Sequence, residues 1–491
     1  MLDLILVRPR VVTPLGTLPP RVQPPDPIAY LAGYLLKFGY TVKIKDLLVE
    51  DYDNVEIVGN RKINGLSDVM AVDRILALNP LAVGINFEFW TDTLSVKLLV
   101  ESLRKAGYKG AIILGGTNAS ALNRQILGDS DFEQEKILGV DIVVNNRNVG
   151  GGEYSLEKLL YCLKEVSNLR EVPGISYKEE DKVITTNSLT LEEVGGVVKE
   201  ITGPARHLYP RKDGMDIYSY YNNPFSGPVK FLPFASLFTS RGCPYNCGFC
   251  LEGKDTPGFV KGWMRRSCEK IFREIDLLAK EGIKTILIQD ENFGGYQPNH
   301  LEEACNILDY IAQKRIKAIY FPNAVNVQSM IMDDFKLLRK LKNLVEMGLT
   351  IRLAVPVESG SDSVLKIMEK PHSINMLNKV FYFVEKEGLL RRESFELEAW
   401  AMVGYPGESF GQAGKTIKYM AALAKRFPRI EPAVFYFQPV PGIIAYEGRD
   451  IPPEPQLESQ PPNGKLKGLV ERYNRKVKDR FKRPNFKPMD F

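Results

Sequence analysis

Three of the six cysteines of the chain lie within eight residues, in the stretch SRGCPYNCGFC at 240–250. The spacing C-x-x-x-C-x-x-C places Cys243, Cys247 and Cys250 on one short loop. Three thiolates can bind three irons of a [4Fe–4S] cube and leave the fourth iron without a protein ligand. An open position on a metal is a site for chemistry, as it is on a catalytic zinc. The spacing therefore indicates a cluster that takes part in a reaction.

A zinc site is the alternative interpretation of these cysteines. Structural zinc requires four protein ligands. The remaining cysteines, Cys162, Cys268 and Cys305, stand singly in helical patterns or at a helix start, and the chain has only three histidines. None of them offers a paired ligand motif, so zinc is disfavoured. Six cysteines in 491 residues also do not make a disulfide framework.

The bulk composition is that of an ordinary globular protein. The chain has 491 residues, 44% of them hydrophobic and 25% charged, and a formal net charge of +5. This mild positive charge does not by itself indicate nucleic acid as a partner. No apolar run reaches the length of about 18 residues needed to span a bilayer, and the first residues are typical of a strand rather than of a signal peptide. We expect a cytoplasmic protein.

Strands and helices alternate along residues 1–190. Apolar runs such as LDLILVRP, LAVGINF and GAIILGG predict strands, and DPIAYLAGYLLKFG and DTLSVKLLVESLRKAG show helical spacing. This order predicts a doubly wound, Rossmann-like parallel sheet, which binds ligands outside the carboxyl ends of its strands. A small hairpin, GISYKEEDKVITTNS, closes the region.

A second alternating series covers residues 229–450. Six strands separated by helices predict a partial (β/α)6 barrel of the TIM type. Residues 191–228, rich in Pro, Gly, Asn and Tyr towards their end, are predicted to link the two domains. Residues 451–491 form a proline-rich and then basic extension. It could contact RNA or a lipid surface, although such a tail is more often a solvated or domain-packing helix.

The cysteine motif, with Phe249 before its last cysteine, resembles the signature of radical SAM enzymes. In that family the open iron binds the amino and carboxylate groups of S-adenosylmethionine (SAM). Reduction of the cluster then cleaves SAM to a 5′-deoxyadenosyl radical, which abstracts hydrogen. The resemblance therefore implies a [4Fe–4S] cluster held by Cys243, Cys247 and Cys250, and SAM as cosubstrate.

Other stretches resemble later motifs of the same family. IQDENF at 288–293 ends the second strand, where the family reads the SAM amino group, and PVESGS at 356–361 resembles the motif whose glutamate meets the ribose. MVGYPGES at 402–409 resembles the glycine motif near the adenine. WMRRS at 263–267 and QPVPGIIAYE at 438–447 resemble the basic segment after the cluster loop and the closing motif of strand six. The resemblance assigns to SAM the residues Phe249, Asp290, Glu291, Glu358, Ser359 and Gly404.

Residues 1–165 resemble the cobalamin-binding domain that precedes many radical SAM barrels. The likeness rests on LAVGINFEFW, AIILGGTNAS and NVGGGEYSLEKLL. Glycines at strand ends let backbone approach a bulky planar ligand, and an acidic residue suits a helix start, either beside that ligand or as a plain cap. The resemblance assigns to cobalamin the residues Gly115, Gly116, Thr117, Gly151, Gly152 and Glu153.

The sequence departs from one known cobalamin-binding pattern in the residue expected below the cobalt. Cobalamin proteins with the D-x-H-x-x-G motif supply a histidine there, whereas this chain has no histidine before His207. Radical SAM relatives often lack that histidine as well, so its absence does not exclude cobalamin. A domain that kept the fold and lost the ligand stays open as an alternative.

The resemblance implies a cobalamin-dependent radical SAM enzyme that methylates an unactivated carbon. Cyclisation, carbon–carbon coupling or lipid or cofactor tailoring without methyl transfer is one alternative, and a non-catalytic SAM or cobalamin sensor is another. Methylthiolation of tRNA is disfavoured because no cysteine precedes Cys162. The implied partners are a small-molecule, lipid or peptide substrate and an external electron donor of the flavodoxin or ferredoxin type. Nucleic acid is not expected.

Overall fold

The structure is a computed structural model of the chain. It describes residues 2–17, 20–128, 137–145, 151–212, 215–220, 229–251, 262–437 and 464–480. The chain divides into two compact units, of which the first consists mainly of Met1–Phe293 and Asn306–Ile316 and the second mainly of Gly294–Cys305 and Lys317–Gln438. This boundary lies beyond the domain limit predicted at residue 228, so residues 229–293, which include the cysteine loop, belong to the first unit. The assignment of functional domains stays a prediction.

The first region alternates strands and helices as predicted. Its elements are β1 (Leu2–Arg8), β2 (Val11–Pro14), α1 (Asp26–Lys37), β3 (Val42–Asp46), β4 (Val55–Val58), β5 (Arg61–Asn64), α2 (Asp68–Leu76), β6 (Pro80–Asn86), α3 (Thr93–Lys105), β7 (Ala111–Gly115), α4 (Thr117–Ala121), α5 (Asn123–Leu127), β8 (Ile142–Val144), α6 (Gly152–Glu165), β9 (Ile175–Glu179) and β10 (Lys182–Thr185).

The main sheet of this region has the strand order β10-β9-β8-β7-β6-β1-β3. Strands β8, β7, β6, β1 and β3 are parallel to one another, and the β9–β10 hairpin extends the sheet with antiparallel pairing. Side chains of β1 alternate between two cores, since Leu4 and Leu6 pack on one face and Ile5 and Val7 on the other. The sheet is therefore doubly wound, and the prediction is confirmed. Its topological switch point lies between β1 and β6.

A three-stranded antiparallel sheet, with the order β2-β5-β4, was not predicted from the sequence. All four residues of β4 are exposed, so no buried alternation marks this strand. Its partner β5 buries only its last two residues. Period-two patterning, on which strand prediction depends, is therefore absent from β4.

The connection after residue 190 and the start of the second series also belong to the first unit. The elements are α7 (Leu191–Glu200), β11 (Arg211–Lys212), β12 (Met215–Asp216), β13 (Phe234–Leu237), β14 (Ser240–Cys243), β15 (Gly262–Arg265), α8 (Cys268–Lys280) and β16 (Thr285–Ile288). The predicted linker thus contains a helix, α7, which begins with a capping box formed by Thr190 and Glu193. Strands β13 and β16 pair in parallel.

The remaining strands of the second series belong to the second unit. The elements that follow β16 are α9 (Pro298–Ala312), β17 (Ala318–Phe321), α10 (Val327–Glu346), β18 (Thr350–Glu358), α11 (Asp362–Ile367), α12 (Ile374–Lys386), β19 (Phe395–Val403), α13 (Phe410–Arg426), β20 (Ile430–Tyr436) and α14 (Gly464–Arg480). Strands β17, β18, β19 and β20 pair in that order, all in parallel. The six parallel strands β13 and β16–β20, with helices between them, are those of the predicted partial barrel.

The basic extension contains the helix α14, which packs within the second unit. Leu466, Val470 and Tyr473 are buried, and Asn474 donates a hydrogen bond to the carbonyl of Val434 on β20. The described part of the extension therefore behaves as a domain-packing helix. The closing motif at 438–447 lies outside the described residues. Among the helices described, none combines the length and apolar character that crossing a membrane requires.

Candidate functional site

The cysteine loop begins at the end of β14. Gly242 has a φ of +78°, a conformation that favours glycine, and it turns the chain directly before Cys243. The amide of Cys250 donates to the carbonyl of Cys247 at 2.9 Å, which closes the loop. Cys247 is buried, while Cys243 and Cys250 are half-buried. The donor set of three thiolates on one turn fits a cluster that has one open iron.

A single-ion metal site is a different arrangement. Within the described residues, no group of three or more Cys, His, Asp or Glu side chains is arranged to hold one metal ion. In a [4Fe–4S] cube each cysteine ligates its own iron. A cluster therefore does not require the three thiols to converge on one ion.

The segment WMRRS forms the second strand of a hairpin with the cysteine strand. Strand β15 pairs antiparallel with β14, and Gly262 lies opposite Cys243. A Cβ atom at Gly262 would lie 2.6 Å from Leu191 Cδ1 on α7, so a larger residue there would force the Leu191 side chain to move. This two-stranded hairpin separates strand β13 from the second and third cysteines. The sequence interpretation missed it because each of its strands has only four residues.

Asp290 lies at the base of this hairpin, two residues after β16. Its side chain is 1% exposed. One carboxylate oxygen accepts the amide of Thr239 at 2.6 Å, and the other accepts the hydroxyls of Thr239 and Ser240, both at 2.5 Å. The guanidinium of Arg265 lies 3.5 Å from the same oxygen. The structure thus directs both oxygens of Asp290 at the hairpin, whereas the sequence assigned this residue to SAM.

Arg265 and Trp263 fix the segment that follows Asp290. Arg265 donates to the carbonyl of Phe293 at 2.7 Å, and its guanidinium lies 4.7 Å from the ring of Trp263. The indole of Trp263 donates to the carbonyl of Asn292 at 2.8 Å. Glu291 lies within this segment and is half-buried. The hairpin therefore holds the predicted SAM segment beside the cysteine strand.

Arg241 links the cysteine strand to the first sheet. Its guanidinium lies 4.8 Å from the ring of Tyr30 on α1 and 4.8 Å from that of Phe238. It also lies 3.7 Å from the carboxylate of Glu153, in the first turn of α6. Burial raises the pKa of Glu153, and Arg241 opposes this rise. The Glu153 carboxylate, predicted to contact cobalamin, thus faces a cation beside the cysteine loop.

A second buried group of charges lies behind the hairpin. Glu274 on α8 accepts from Arg206 and from Arg266, both at 2.8 Å. Arg266 also donates to the carbonyl of Phe238 at 2.6 Å and to the hydroxyl of Tyr30 at 3.3 Å. Arg266 and Glu274 are 1% and 2% exposed. This network joins α1, the hairpin and α8, and the sequence interpretation did not identify it.

The carboxyl edge of the first sheet contains the glycines assigned to cobalamin. A Cβ atom at Gly115 would meet nothing within 4 Å, so backbone is open there. Gly116 has a φ of +107°, and a Cβ atom there would lie 2.9 Å from the carbonyl of Phe87. The hydroxyl of Thr117 donates to the carboxylate of Glu88 at 2.5 Å. Gly115 therefore fits a ligand contact, whereas Gly116 and Thr117 are engaged by the loop after β6.

Two further polar groups of this edge were not predicted. Asn118 is 2% exposed, and its side-chain amide donates to the carbonyl of Glu88 at 2.7 Å. The side-chain oxygen Oδ1 of Asn118 is buried and has no hydrogen-bond partner among the residues that the structure describes. Asp92 is buried, and its burial raises the pKa of its carboxyl to about 7 although Arg8 opposes the rise. Such groups carry no spacing motif, and only the topology brings them to the switch point.

In the second unit, Glu358 ends β18 with a strained backbone. Its φ is +59°, which is unusual for a residue other than glycine, and the pairing with β19 shifts register at this point. Its carboxylate lies 2.9 Å from the ammonium of Lys370. His372 is also buried, and burial, helped by Lys370, lowers the pKa of its imidazole to about 4. Strain of this kind is concentrated at functional positions, which agrees with the predicted role of Glu358.

Ser359 and Gly404 make hydrogen bonds to other residues of the second unit. Ser359 is fully buried, and its hydroxyl lies 3.0 Å from that of Thr416. Gly404 has a φ of +85°, and its amide donates to the carboxylate of Glu408 at 2.5 Å. Gly404 therefore meets a conformational need at the end of β19, and Ser359 anchors the turn after β18 to α13. Their contacts with SAM stay predictions.

Comparison with known proteins gives a family for the barrel region. Residues 237–420 match the model of the Radical SAM superfamily. The chain is also similar to the cytidylyl-2-hydroxyethylphosphonate methyltransferase of Streptomyces wedmorensis, with 24% identity over 428 residues that cover 82% of this chain and 73% of that protein.

Two solved structures share the fold of this chain. One is the radical S-adenosylmethionine methyltransferase TsrM from Kitasatospora setae, solved with cobalamin and a [4Fe–4S] cluster bound. The match covers 91% of this chain and 74% of the TsrM chain, with a TM-score of 0.61 and 15% sequence identity. The other is the cobalamin-dependent S-adenosylmethionine radical enzyme OxsB with aqua-cobalamin bound; the match covers 96% of this chain and 56% of OxsB, with a TM-score of 0.64 and 19% identity. These likenesses confirm the predicted fold class.

Proposed function

This chain is a radical SAM enzyme, and on that premise we propose that it uses cobalamin to methylate an unactivated carbon of its substrate. The observation that carries the proposal is the extent of the shared fold. The match to TsrM, a methyltransferase solved with both cofactors, covers 91% of this chain and so includes both the first sheet and the barrel region. The similarity to a second methyltransferase, over 82% of the chain, agrees with it.

Cys243, Cys247 and Cys250 would hold the cluster. When bound, the cluster supplies the electron that cleaves SAM and so starts radical chemistry. The hairpin of β14 and β15 fixes the start of the loop, and the hydrogen bond between Cys250 and Cys247 fixes its end. Phe249 is half-buried and directly precedes Cys250, and it would contact the bound SAM.

The candidate SAM-binding residues include two carboxylates and one glycine. Glu291 would accept hydrogen bonds from the SAM amino group, and Glu358 would accept them from the ribose hydroxyls. The strained backbone of Glu358 and its contact with Lys370 support a role that depends on one orientation of the carboxylate. Gly404 would lie near the adenine.

Cobalamin would bind at the carboxyl edge of the first sheet. Open backbone at Gly115 and the buried side-chain oxygen Oδ1 of Asn118, which has no partner within the described part of the chain, fit a planar ligand that carries amide N–H donors. Gly151 and Gly152 at the start of α6 would allow a close approach of backbone to the same ligand. When bound, cobalamin supplies the methyl group that is transferred. No histidine precedes His207, so the chain offers no imidazole for the cobalt on this side.

Radical chemistry without methyl transfer is a second candidate. The match to OxsB covers 96% of this chain, and the name of that protein specifies cobalamin and SAM but no methyl transfer. Cyclisation or carbon–carbon coupling would use the same cysteines and the same SAM contacts. The fate of the labelled methyl group distinguishes the two candidates.

The proposed partners are a substrate of the small-molecule, lipid or peptide class and an external flavodoxin- or ferredoxin-type electron donor. These partners and the cytoplasmic location stay predictions from the sequence. The presence of SAM cleavage can be measured without knowledge of the substrate.

The test incubates the reconstituted, reduced enzyme with SAM labelled in its methyl group and with cell extract as the substrate source. The proposal predicts 5′-deoxyadenosine and a product that carries the label on carbon. Formation of 5′-deoxyadenosine with unlabelled products would favour the second candidate. Absence of 5′-deoxyadenosine in every incubation would contradict both candidates.

A further inference from the structure

Two adjacent carboxylates, Asp290 and Glu291, follow β16 where the sequence predicts contact with the SAM amino group. Their surroundings differ. The side chain of Asp290 is 1% exposed and both of its oxygens accept hydrogen bonds from the strand that leads to the first cysteine. Glu291 is half-buried. Both oxygens of Asp290 are engaged within the protein, whereas Glu291 keeps part of its surface exposed, although its Oε2 atom is buried.

We propose that Asp290 is a positioning residue for the cluster loop and does not bind SAM. The inference rests on the proposed function, in that Cys243, Cys247 and Cys250 must hold the cluster. It removes Asp290 from the SAM-binding residues and leaves Glu291 as the candidate for the amino group.

The contacts of Asp290 reach both strands of the hairpin. Ser240 begins β14, Thr239 lies directly before it, and Arg265 ends β15. Thr239 uses its amide and its hydroxyl on Asp290, and its hydroxyl oxygen also accepts from Arg265 at 2.6 Å. One buried carboxylate therefore ties the two strands to each other and to the end of β16. Ionised acceptors form the stronger class of hydrogen bond, and burial increases their effect.

The distance from this anchor to the metal site is short. Cys243 is three residues beyond Ser240 on the same strand, which spans about 10 Å at the rise of a β-strand. A cluster requires its ligands within about 0.5 Å of the correct geometry. Groups that orient metal ligands from behind change metal affinity by about 10- to 100-fold when they are removed. Loss of the Asp290 carboxylate should therefore weaken retention of the cluster before it affects SAM.

The test compares Asp290→Asn with Glu291→Gln and with the control Asp276→Asn in the full chain. Asparagine keeps the shape but replaces one acceptor oxygen by an N–H₂ donor, which faces Arg265 and two hydroxyls. Asp276 pairs with Lys314 in the same unit, away from the hairpin. Each protein is reconstituted anaerobically with iron and sulfide. Iron release to a chelator is timed, and the electron paramagnetic resonance spectrum of the reduced protein is recorded with and without SAM.

The proposal predicts that Asp290→Asn loses iron about 10-fold faster than the wild type and has an altered spectrum even without SAM. Glu291→Gln should keep its iron and lose the spectral change that SAM causes. Asp276→Asn should behave as the wild type. If Asp290→Asn fails to fold, as judged by circular dichroism, Ser240→Ala removes a single hydroxyl contact and should accelerate iron release by a smaller factor.

Two results would overturn the inference alone. In one, Asp290→Asn, or Ser240→Ala in its place, retains iron and the spectrum of the wild type. In the other, Asp290→Asn keeps its iron but no longer responds to SAM, as a SAM ligand would. A wild-type chain that takes up no iron would overturn the proposed function and this inference together, so the two failures are distinguishable.

Discussion

Charged groups that are buried hold the cysteine hairpin, whereas apolar side chains that alternate between two cores hold the strands of the first sheet. Asp290, Arg266 and Glu274 are each at most 2% exposed and contact the hairpin or its neighbours. In β1, Leu4 and Ile5 are fully buried on opposite faces. Apolar packing tolerates small shifts of a side chain, but hydrogen bonds to a buried charge fix direction as well as distance.

The two kinds of contact suit the different tasks of the cysteine hairpin and the first sheet. A cluster needs three thiols at defined places, and a short hairpin cannot provide them through its own pairing of four residues per strand. The first sheet has five parallel strands and two cores, so its carboxyl edge is placed by many contacts. Single substitutions should therefore affect the hairpin more than the sheet.

The largest effect is expected from a break in the buried network behind the hairpin. Glu274→Gln removes the one buried carboxylate that hydrogen-bonds both Arg206 and Arg266, which should lower the free energy of unfolding by about 3–5 kcal/mol. Urea unfolding of the apoprotein measures this change. Glu200 is the matched control, since it also contacts two cations, Lys37 at 2.5 Å and Lys270 at 2.9 Å, but lies at the surface.

Glu200→Gln should lower the free energy of unfolding by about 0–1 kcal/mol, because water solvates the lysines that remain. Equal losses for the two variants would show that burial of the charges behind the hairpin does not matter. That result would remove the contrast between the regions.

A pH-dependent effect is expected at the edge of the first sheet. Burial raises the pKa of Asp92 to about 7 from its ordinary value of 3.8, so the folded chain binds more protons than the unfolded chain between these values. The free energy of unfolding should therefore fall as the pH rises from 4 to 7. Asp26, with a pKa raised by burial to about 6, acts in the same direction.

Asp92→Asn should remove part of this dependence and should stabilise the protein at pH 8 by on the order of 2 kcal/mol. Melting temperatures of the wild type and the variant at pH 5 and pH 8 measure it. A wild type that becomes more stable relative to the variant as the pH rises would contradict the assigned burial of this carboxyl.

The smallest effect is expected at the contact between the cysteine hairpin and helix α6, where Arg241 faces Glu153. Glu153→Gln weakens a pair whose atoms are 3.7 Å apart, and Arg241 keeps its two aromatic neighbours. The loss of stability should be about 1 kcal/mol or less. Urea unfolding checks this value, and iron content should equal that of the wild type. A loss of iron would show that the pair positions the cluster, and the comparison would then need to include α6.

The alternation of apolar residues predicted the doubly wound sheet and the barrel strands, because each strand buries one or two faces of regular period. The cysteine spacing predicted the cluster loop. The hairpin of β14 and β15 was missed, since Gly262 and Trp263 follow no alternating pattern in so short a strand. The role of Asp290 could not be read from the motif, because its partners Thr239 and Ser240 are 50 or more residues away and meet it only after folding.

The measurement that tests the central claim most directly is the metal content of the anaerobically reconstituted chain. After incubation with iron, sulfide and hydroxocobalamin and removal of unbound material, the account predicts about four irons and one cobalt per chain. Iron should be absent when Cys243, Cys247 and Cys250 are replaced by alanine. Iron without cobalt would contradict the role of the first sheet, and iron that survives the triple replacement would contradict the assignment of the cluster itself.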